Sequence, residues 1–194
     1  MLPEKLVIQA FGPYVEKQEI DFSDISSHHL FLIQGETGSG KTMLLDAITF
    51  ALFGKSSGGQ RESMEAMRSR FASDDIHTFV EFIFSLKGKR YRFVRKVEVK
   101  TKRNKEKVWK SSVDAGEIVN GEFLPFFENP KLKNVEEKAE ELIGLRYEQF
   151  VQVMVLPQGK FEQFLTSKSE EKQEILKTLF QMEHWENINA WLIE

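Results

Sequence analysis

The chain has 194 residues, of which 41% are hydrophobic and 29% charged, and it contains no cysteine. This length fits one domain, or one domain with an appendage, and the lack of cysteine excludes disulfides and thiolate metal sites. The first residues do not form a signal peptide and no apolar run approaches the roughly 18 residues of a membrane span, so the sequence predicts a soluble, cytoplasmic protein.

The net charge of −3 conceals a strong asymmetry along the chain. Residues 87–110 contain 12 Lys and Arg against 2 Asp and Glu, a local charge of +10, whereas the remainder contains 15 basic and 28 acidic residues, a charge of −13. A segment of this kind is typical of contact with a polyanion. A solvated hairpin that only balances the acidic remainder would give the same pattern, and both interpretations stay open.

The first part of the chain is predicted to be β structure. Residues 6–8 and 20–22 are apolar segments on either side of the turn-forming residues 11–14, which indicates an antiparallel pair. Residues 30–33 form a short continuous apolar run, the pattern of a buried strand.

The next segment predicts a helix over residues 41–53 that ends at Gly54. Its apolar positions recur at helical spacing and are Leu44, Leu45, Ile48, Ala51 and Leu52. Residues 55–60 are rich in Ser and Gly and predict a flexible loop. Residues 56–60 resemble the ABC signature Leu-Ser-Gly-Gly-Gln, but the leading Leu is missing and no acidic strand follows, so the loop interpretation is preferred.

The middle of the chain predicts a hairpin with one apolar face. Residues 78–86 alternate in polarity, and residues 87–89 form the turn to a return strand over residues 90–99. The apolar face of the first strand carries Val80, Phe82, Phe84 and Leu86.

Further elements follow this hairpin in the order turn, strand, hairpin and helix. A charged turn over residues 103–107 precedes a strand over residues 108–113. A second hairpin over residues 117–127 is centred on Asn120 and Gly121. Residues 135–143 predict a helix that Gly144 ends.

The last part of the chain predicts a short apolar strand and a long helix. The strand covers residues 150–156 and ends at Pro157. Ser167 and Glu170 form a capping box, and apolar positions then recur at helical spacing up to residue 194. Because this pattern reaches the last residue, we expect that the chain is a fragment and that the helix continues.

A glycine-rich motif lies between the predicted strand at 30–33 and the predicted helix at 41–53. The residues Gly35, Glu36, Thr37, Gly38, Ser39, Gly40, Lys41 and Thr42 match G-x-x-x-x-G-K-[ST]. The glycines allow successive backbone N–H groups to point at a phosphate, and the helix adds its positive end. Lys41 is expected to reach the β- and γ-phosphates, and the Thr42 hydroxyl to bind Mg²⁺.

Hydrolysis of a bound nucleotide needs more than this loop. An acidic metal ligand after an apolar strand and a group that positions water are also required. No run of four apolar residues in the chain is followed by Asp-Asp or Asp-Glu. The second carboxylate motif is therefore missing from this sequence.

Several motifs together resemble one family of ATPases. In chain order they are Phe11-Gly12-Pro13-Tyr14, Gly35 to Thr42, Leu44-Leu45-Asp46-Ala47-Ile48-Thr49-Phe50-Ala51-Leu52-Phe53-Gly54, and Leu156-Pro157-Gln158-Gly159-Lys160-Phe161. They are similar to the amino-terminal ATPase segments of the SbcC family, in the SMC-like branch of ABC ATPases that act in DNA double-strand break repair.

This resemblance implies an α/β P-loop NTPase fold. Residues 1–166 would form the amino-terminal half of an ABC-type ATPase head with an antiparallel β subdomain, and residues 167–194 the root of a coiled-coil helix. It implies ATP and Mg²⁺ as cofactors, with Gln158 as a catalytic loop glutamine that contacts Mg²⁺ and the attacking water. It also implies that the carboxyl-terminal half of the same head supplies the remaining motifs.

The resemblance further implies partners and a nucleic-acid surface. Two heads would form a homodimer on binding ATP, and an SbcD-type nuclease subunit and double-stranded DNA would bind the assembly. The basic hairpin supplies the candidate DNA contacts Arg90, Arg92, Lys96, Lys100, Lys102 and Arg103, because alternation puts the first three opposite Tyr91 and Phe93. Weaker candidates for contact with the adenosine are Arg61, Met67, Arg68 and Ser69.

Three other interpretations of the sequence stay open. A small P-loop kinase has about this length, although its loop usually follows the first strand, whereas about 30 residues of β structure precede it here. The chain could also be a non-catalytic module that docks DNA or a nuclease. A different SMC-like recombination or repair ATPase would carry most of the same motifs.

Overall fold

The computed structural model describes residues 1–22, 32–57, 64–101 and 107–151. The chain divides into two compact units, Met1–Gly144 and Leu145–Glu194. The strands are β1 (Leu2–Gln9), β2 (Gln18–Asp21), β3 (Thr78–Leu86), β4 (Lys89–Thr101), β5 (Lys107–Val119) and β6 (Glu122–Pro125). The helices are α1 (Lys41–Phe53), α2 (Met64–Met67), α3 (Leu132–Ile143) and α4 (Tyr147–Phe150).

The six strands form one antiparallel sheet in the order β2-β1-β3-β4-β5-β6. The predicted pairing of the first two strands is confirmed, with Leu6 opposite Ile20. β3 and β4 lie at the centre of the sheet and pair along their whole shared length, from Thr78 opposite Val97 to Leu86 opposite Lys89.

Both predicted hairpin turns are confirmed, and their chemistry explains their tightness. Lys87 and Gly88 have φ angles of 51° and 79°, and Asn120 and Gly121 have φ angles of 52° and 86°. Two consecutive residues with positive φ form the turn whose twist matches that of the flanking strands. The turns therefore fix the register of β3 with β4 and of β5 with β6.

β5 is longer than the sequence predicted. It runs without interruption through Gly116, where we expected a strand over residues 108–113 to end before a separate hairpin began. A Cβ atom at Gly116 would lie 2.2 Å from the carbonyl oxygen of Leu124 on β6. The glycine is therefore a point of close strand approach rather than a break.

One face of the sheet forms the core of the first unit, as the alternating pattern predicted. Val80, Phe82 and Phe84 of β3 are fully buried, and so is Phe93 of β4. The rings of Phe84 and Phe93 stack with their centroids 5.8 Å apart. Helix α1 packs against β3, β4 and α3, so the unit has two layers.

Helix α1 has the predicted bounds but a different buried face. Gly54, with φ 72°, ends the helix and donates its N–H to the carbonyl oxygen of Phe50 at 2.8 Å. The predicted stripe is wrong in part, because Leu44, Leu45 and Ile48 are only half-buried. The buried residues are Met43, Asp46, Ala47, Thr49, Phe50, Ala51, Leu52 and Phe53.

Two predicted strands are not borne out where the structure describes them. Leu32 and Ile33 have no regular structure, and Leu32 is 84% exposed, because no described strand pairs with this apolar run. Phe150 closes helix α4 and Val151 continues in helical geometry, with φ −63° and ψ −41°. Both residues were predicted to begin a strand, and the capping box formed by Arg146 and Gln149 favours the helix instead.

Helix α3 confirms the helix predicted over residues 135–143 and begins three residues earlier, at Leu132. Gly144 ends it with φ 77°. The predicted charged turn at residues 103–107 and the strand end at residues 152–156 lie wholly or almost wholly outside the described residues, as does the helix from Ser167. Among the helices of the described ranges, none is long and apolar enough to span a membrane.

Candidate phosphate-binding site

The glycine-rich segment leads directly into helix α1. Gly38 and Gly40 have φ angles of 89° and 96°, and Lys41 is the first residue of the helix. These backbone conformations are open to glycine and rarely to other residues. A Cβ atom at Gly35 would lie 2.8 Å from Ser39 Oγ, so the loop closes tightly on itself.

The amine of Lys41 lies across this loop. Its Nζ atom donates to the carbonyl oxygens of Gly35 and Glu36, at 2.7 Å and 2.6 Å, and lies 3.5 Å from Ser39 Oγ. The Ser39 N–H donates to the Glu36 carbonyl at 3.2 Å. The positive charge is thereby held over the turn that the glycines form.

The beginning of α1 is open to an anion. Gly40 is the N-cap and provides no side-chain hydrogen bond, and the first turn contains no acidic residue. The first backbone N–H groups of a helix have no intrahelical acceptor, and they carry the positive end of the dipole. Thr42 is exposed in this turn. The residues present therefore fit a phosphate group, and a cation bound to it through the Thr42 hydroxyl.

The turn at residues 11–14 packs on this site. Phe11 and Tyr14 exchange backbone hydrogen bonds of 2.9 Å and 3.0 Å. A Cβ atom at Gly40 would lie 2.6 Å from Pro13 Cγ and 2.9 Å from the Tyr14 hydroxyl oxygen. The sequence motif Phe-Gly-Pro-Tyr and the glycine-rich loop, 20 or more positions apart in the chain, are therefore one structural feature.

Asp46 is a polar residue that the sequence analysis gave no role. It is fully buried in α1, and its Oδ1 atom accepts hydrogen bonds from the backbone N–H of Ser57, at 2.8 Å, and from the Ser57 hydroxyl. Ser56 and Ser57 are 1% and 3% exposed, so the prediction of a flexible loop is wrong for these two residues. A lone carboxylate inside an apolar helical run was the available signal.

The adenosine candidates that the structure describes are buried. Met67 is fully buried, and its carbonyl oxygen accepts from the Gly12 N–H at 2.8 Å. Arg68 donates to Thr78 Oγ1 at 3.0 Å and to the Ser73 carbonyl at 2.7 Å. Ser69 is 2% exposed. Their described contacts hold the turn at residues 11–14, and Arg61 lies outside the described residues.

The candidate DNA residues on β4 have acidic neighbours. Arg90 lies 2.6 Å from Glu4 of β1, and their hydrogen bond raises the pKa of Arg90. Lys96 lies 3.0 Å from Glu98, and the Lys96 hydrogen bond lowers the pKa of that carboxyl group.

The remaining DNA candidates differ in their surroundings. Arg92 pairs with Glu81 of β3, and its guanidinium lies 4.9 Å from the centroid of the Phe123 ring. Lys100 is exposed. Lys102 and Arg103 lie outside the described residues, as does the candidate catalytic Gln158. The predicted basic face is therefore a surface of interleaved charges on the part of β4 that can be described.

Comparison with protein families defines the class of this protein. Residues 5–187 match the family model described as an AAA domain. The match covers most of the chain, so the protein belongs to the AAA domain family, and its sheet with packed helices fits an α/β P-loop NTPase.

Curated relatives give a more particular similarity. The whole chain is 40% identical to a protein of Vibrio cholerae serotype O1 and 42% identical to proteins of Staphylococcus aureus strains MRSA252 and Newman. Each relative is named as the SbcC subunit of the nuclease SbcCD. The chain spans 19% of the length of each of them.

Proposed function

We propose that this chain is the ATP-binding lobe of an ABC-type, SMC-like ATPase of DNA double-strand break repair. Together with the carboxyl-terminal half of the same head and an SbcD-type nuclease, it would couple ATP binding and hydrolysis to the processing of DNA ends. The observation that carries this proposal is the Lys41 amine held across the glycine-rich loop at the open beginning of α1. The names of the curated relatives support the choice of complex.

Each residue of the loop has a defined part in this proposal. The backbone N–H groups around Gly38 and Gly40 bind the phosphate oxygens, since their positive φ angles turn the chain inward. Lys41 exchanges its carbonyl acceptors for the β- and γ-phosphate oxygens and neutralises their charge. The Thr42 hydroxyl holds Mg²⁺, which bridges the same phosphates. Gly35, Thr37 and Ser39 complete the cradle.

Catalysis would require groups from elsewhere. Gln158 is proposed to contact Mg²⁺ and to orient the attacking water, and residues 1–166 to form the head lobe. The signature and acidic metal-binding motifs would come from the carboxyl-terminal half, and two heads would pair on binding ATP. Residues 167–194 would begin the coiled coil.

Double-stranded DNA is proposed to lie along the exposed side of β4. Arg90, Arg92, Lys96 and Lys100 lie on this strand, and Lys102 and Arg103 follow it in the sequence. The contacts would be to phosphates and independent of base sequence.

A nucleotide-binding titration tests the central proposal. Lys41→Ala should weaken MgATP binding by about 10- to 150-fold, the loss expected for charged hydrogen bonds. Lys133→Ala is the matched control, because Lys133 is 85% exposed on α3 and should not affect affinity. If the wild type and Lys41→Ala bind MgATP equally weakly, the proposal fails and a non-catalytic docking module becomes the better interpretation.

A further inference from the structure

The turn at residues 11–14 and the phosphate loop meet at two glycines. A Cβ atom at Gly12 would lie 2.7 Å from two side-chain carbons of Met43, in the first turn of α1. A Cβ atom at Gly40 would lie within 3.1 Å of both Pro13 and Tyr14. No ordinary Cβ contact is this short, so the two backbones approach as closely as glycine allows.

Gly40 is the residue of the loop where this contact has the largest consequence. It has φ 96°, it is the N-cap of α1, and its peptide group connects the glycine-rich turn to Lys41. A glycine in open space could sample many backbone conformations. The Pro13 ring and the Tyr14 side chain restrict Gly40 from one side, and burial beside them raises the pKa of the Tyr14 hydroxyl.

The turn is itself held firmly in place from the opposite side. Ala10, which precedes it, is fully buried and has a φ of 48°, a conformation that is uncommon outside glycine. Its carbonyl oxygen accepts from the Ser69 N–H at 3.0 Å and from Thr78 Oγ1 at 3.2 Å. Arg68 donates to the same Thr78 hydroxyl. A strained residue persists only where its surroundings determine it, so the turn is a rigid support rather than a loose loop.

We propose that Tyr14 and Pro13 are positioning residues for the phosphate loop. By packing on Gly40 they hold its peptide in the conformation that directs the loop N–H groups and Lys41 at a triphosphate. This inference rests on the proposed nucleotide-binding function and deepens it. Without the two side chains the loop orders only when the ligand binds, and the ligand then bears the conformational entropy cost.

The test compares two ligands, ATP and inorganic tripolyphosphate, each with Mg²⁺. Tyr14→Ala should weaken both by the same factor, about 5- to 30-fold, which corresponds to ordering the backbone of one residue. Pro13→Ala removes the atom nearest to Gly40 and should weaken both ligands in the same way. Phe71→Ala is the matched control, since Phe71 is 80% exposed and its removal should leave both affinities unchanged.

Each outcome separates positioning from other roles. If Tyr14→Ala weakens ATP but not tripolyphosphate, the side chain contacts the base and the inference is wrong. If thermal stability falls while both affinities stay unchanged, the role is structural and the inference is also wrong. Should Tyr14→Ala not fold, Pro13→Ala and Tyr14→Phe decide by the same comparison. Loss of binding in Lys41→Ala, with wild-type affinity in these variants, would overturn this inference and leave the proposed function intact.

Discussion

Arg95 joins the centre of the sheet to the end of helix α1. Its side chain is 3% exposed, and it donates from Nε to the Ala51 carbonyl and from Nη2 to the Leu52 carbonyl, both at 3.1 Å. The last carbonyls of a helix have no intrahelical donor, and a cation there complements the negative end of the dipole. Burial lowers the pKa of Arg95 to about 10, against the attraction of Glu136 at 3.8 Å, so the group is charged at neutral pH.

We expect Arg95→Met to destabilise the protein more than any substitution of an exposed arginine on the same strand. The methionine keeps the length and apolar packing but leaves two buried carbonyls without donors, at a cost of about 2–4 kcal/mol in the free energy of unfolding. Arg90→Met removes an exposed ion pair and should cost less than about 1 kcal/mol. Urea denaturation measures both, and equal effects would contradict the role assigned to Arg95.

The sequence contained the signal for Arg95, although the charge pattern obscured it. Arg95 has the same parity along β4 as Tyr91, Phe93 and Val97, all of which are buried, so alternation places it on the inner face. Counting it among the basic residues of the segment treated it as surface charge. Its partners could not be predicted, because they are backbone atoms more than 40 positions away.

At the scale of elements, boundaries were predictable and faces less so. Gly54 and Gly144 fixed the ends of α1 and α3 because a left-handed glycine terminates a helix whatever surrounds it. The buried face of α1 was not predictable, since its apolar residues lie all round the helix. The apolar run at Leu32 and Ile33 shows the same limit, because a strand exists only where another strand pairs with it.

The interleaved charges of β4 lead to a two-sided prediction for DNA binding. Reversing Arg90, Arg92 and Lys96 to Glu should weaken duplex binding and reduce the slope of log affinity against log salt by about 2–3, close to one for each phosphate that is no longer neutralised. Glu98→Gln should have the opposite effect, because Lys96 then loses its 3.0 Å partner and is free to bind a phosphate.

Titration of a labelled duplex at several salt concentrations measures both effects. Lys133→Glu on α3 is the control for a change of charge alone, because Lys133 is 85% exposed and belongs to a different element. Unchanged affinity in the triple variant would favour the alternative that the basic hairpin is a solvated surface and does not contact DNA.

At the scale of the whole molecule, the charge split along the sequence does not become an equally divided surface. β4 carries most of the basic segment, but the sheet order puts β3 beside it and β1 next, and their carboxylates Glu81 and Glu4 pair with its arginines. Arg95 is withdrawn into the core. A linear count of charge therefore overestimates the basic character of the described surface, since strands distant in sequence supply the counter-charges.

The final prediction concerns what this chain can do by itself. It contains the phosphate-binding loop but no acidic metal-binding motif, and it spans 19% of the length of its curated relatives. We therefore expect MgATP to bind but phosphate release to stay near background. Addition of a carboxyl-terminal segment that carries the signature and acidic motifs should restore turnover, and Gln158→Ala should then slow it by about 10²-fold. Gln18→Ala, at an exposed position of β2, is the control. Robust hydrolysis by the chain alone would mean that it contains a complete catalytic site, which would contradict its assignment as one lobe of a shared head.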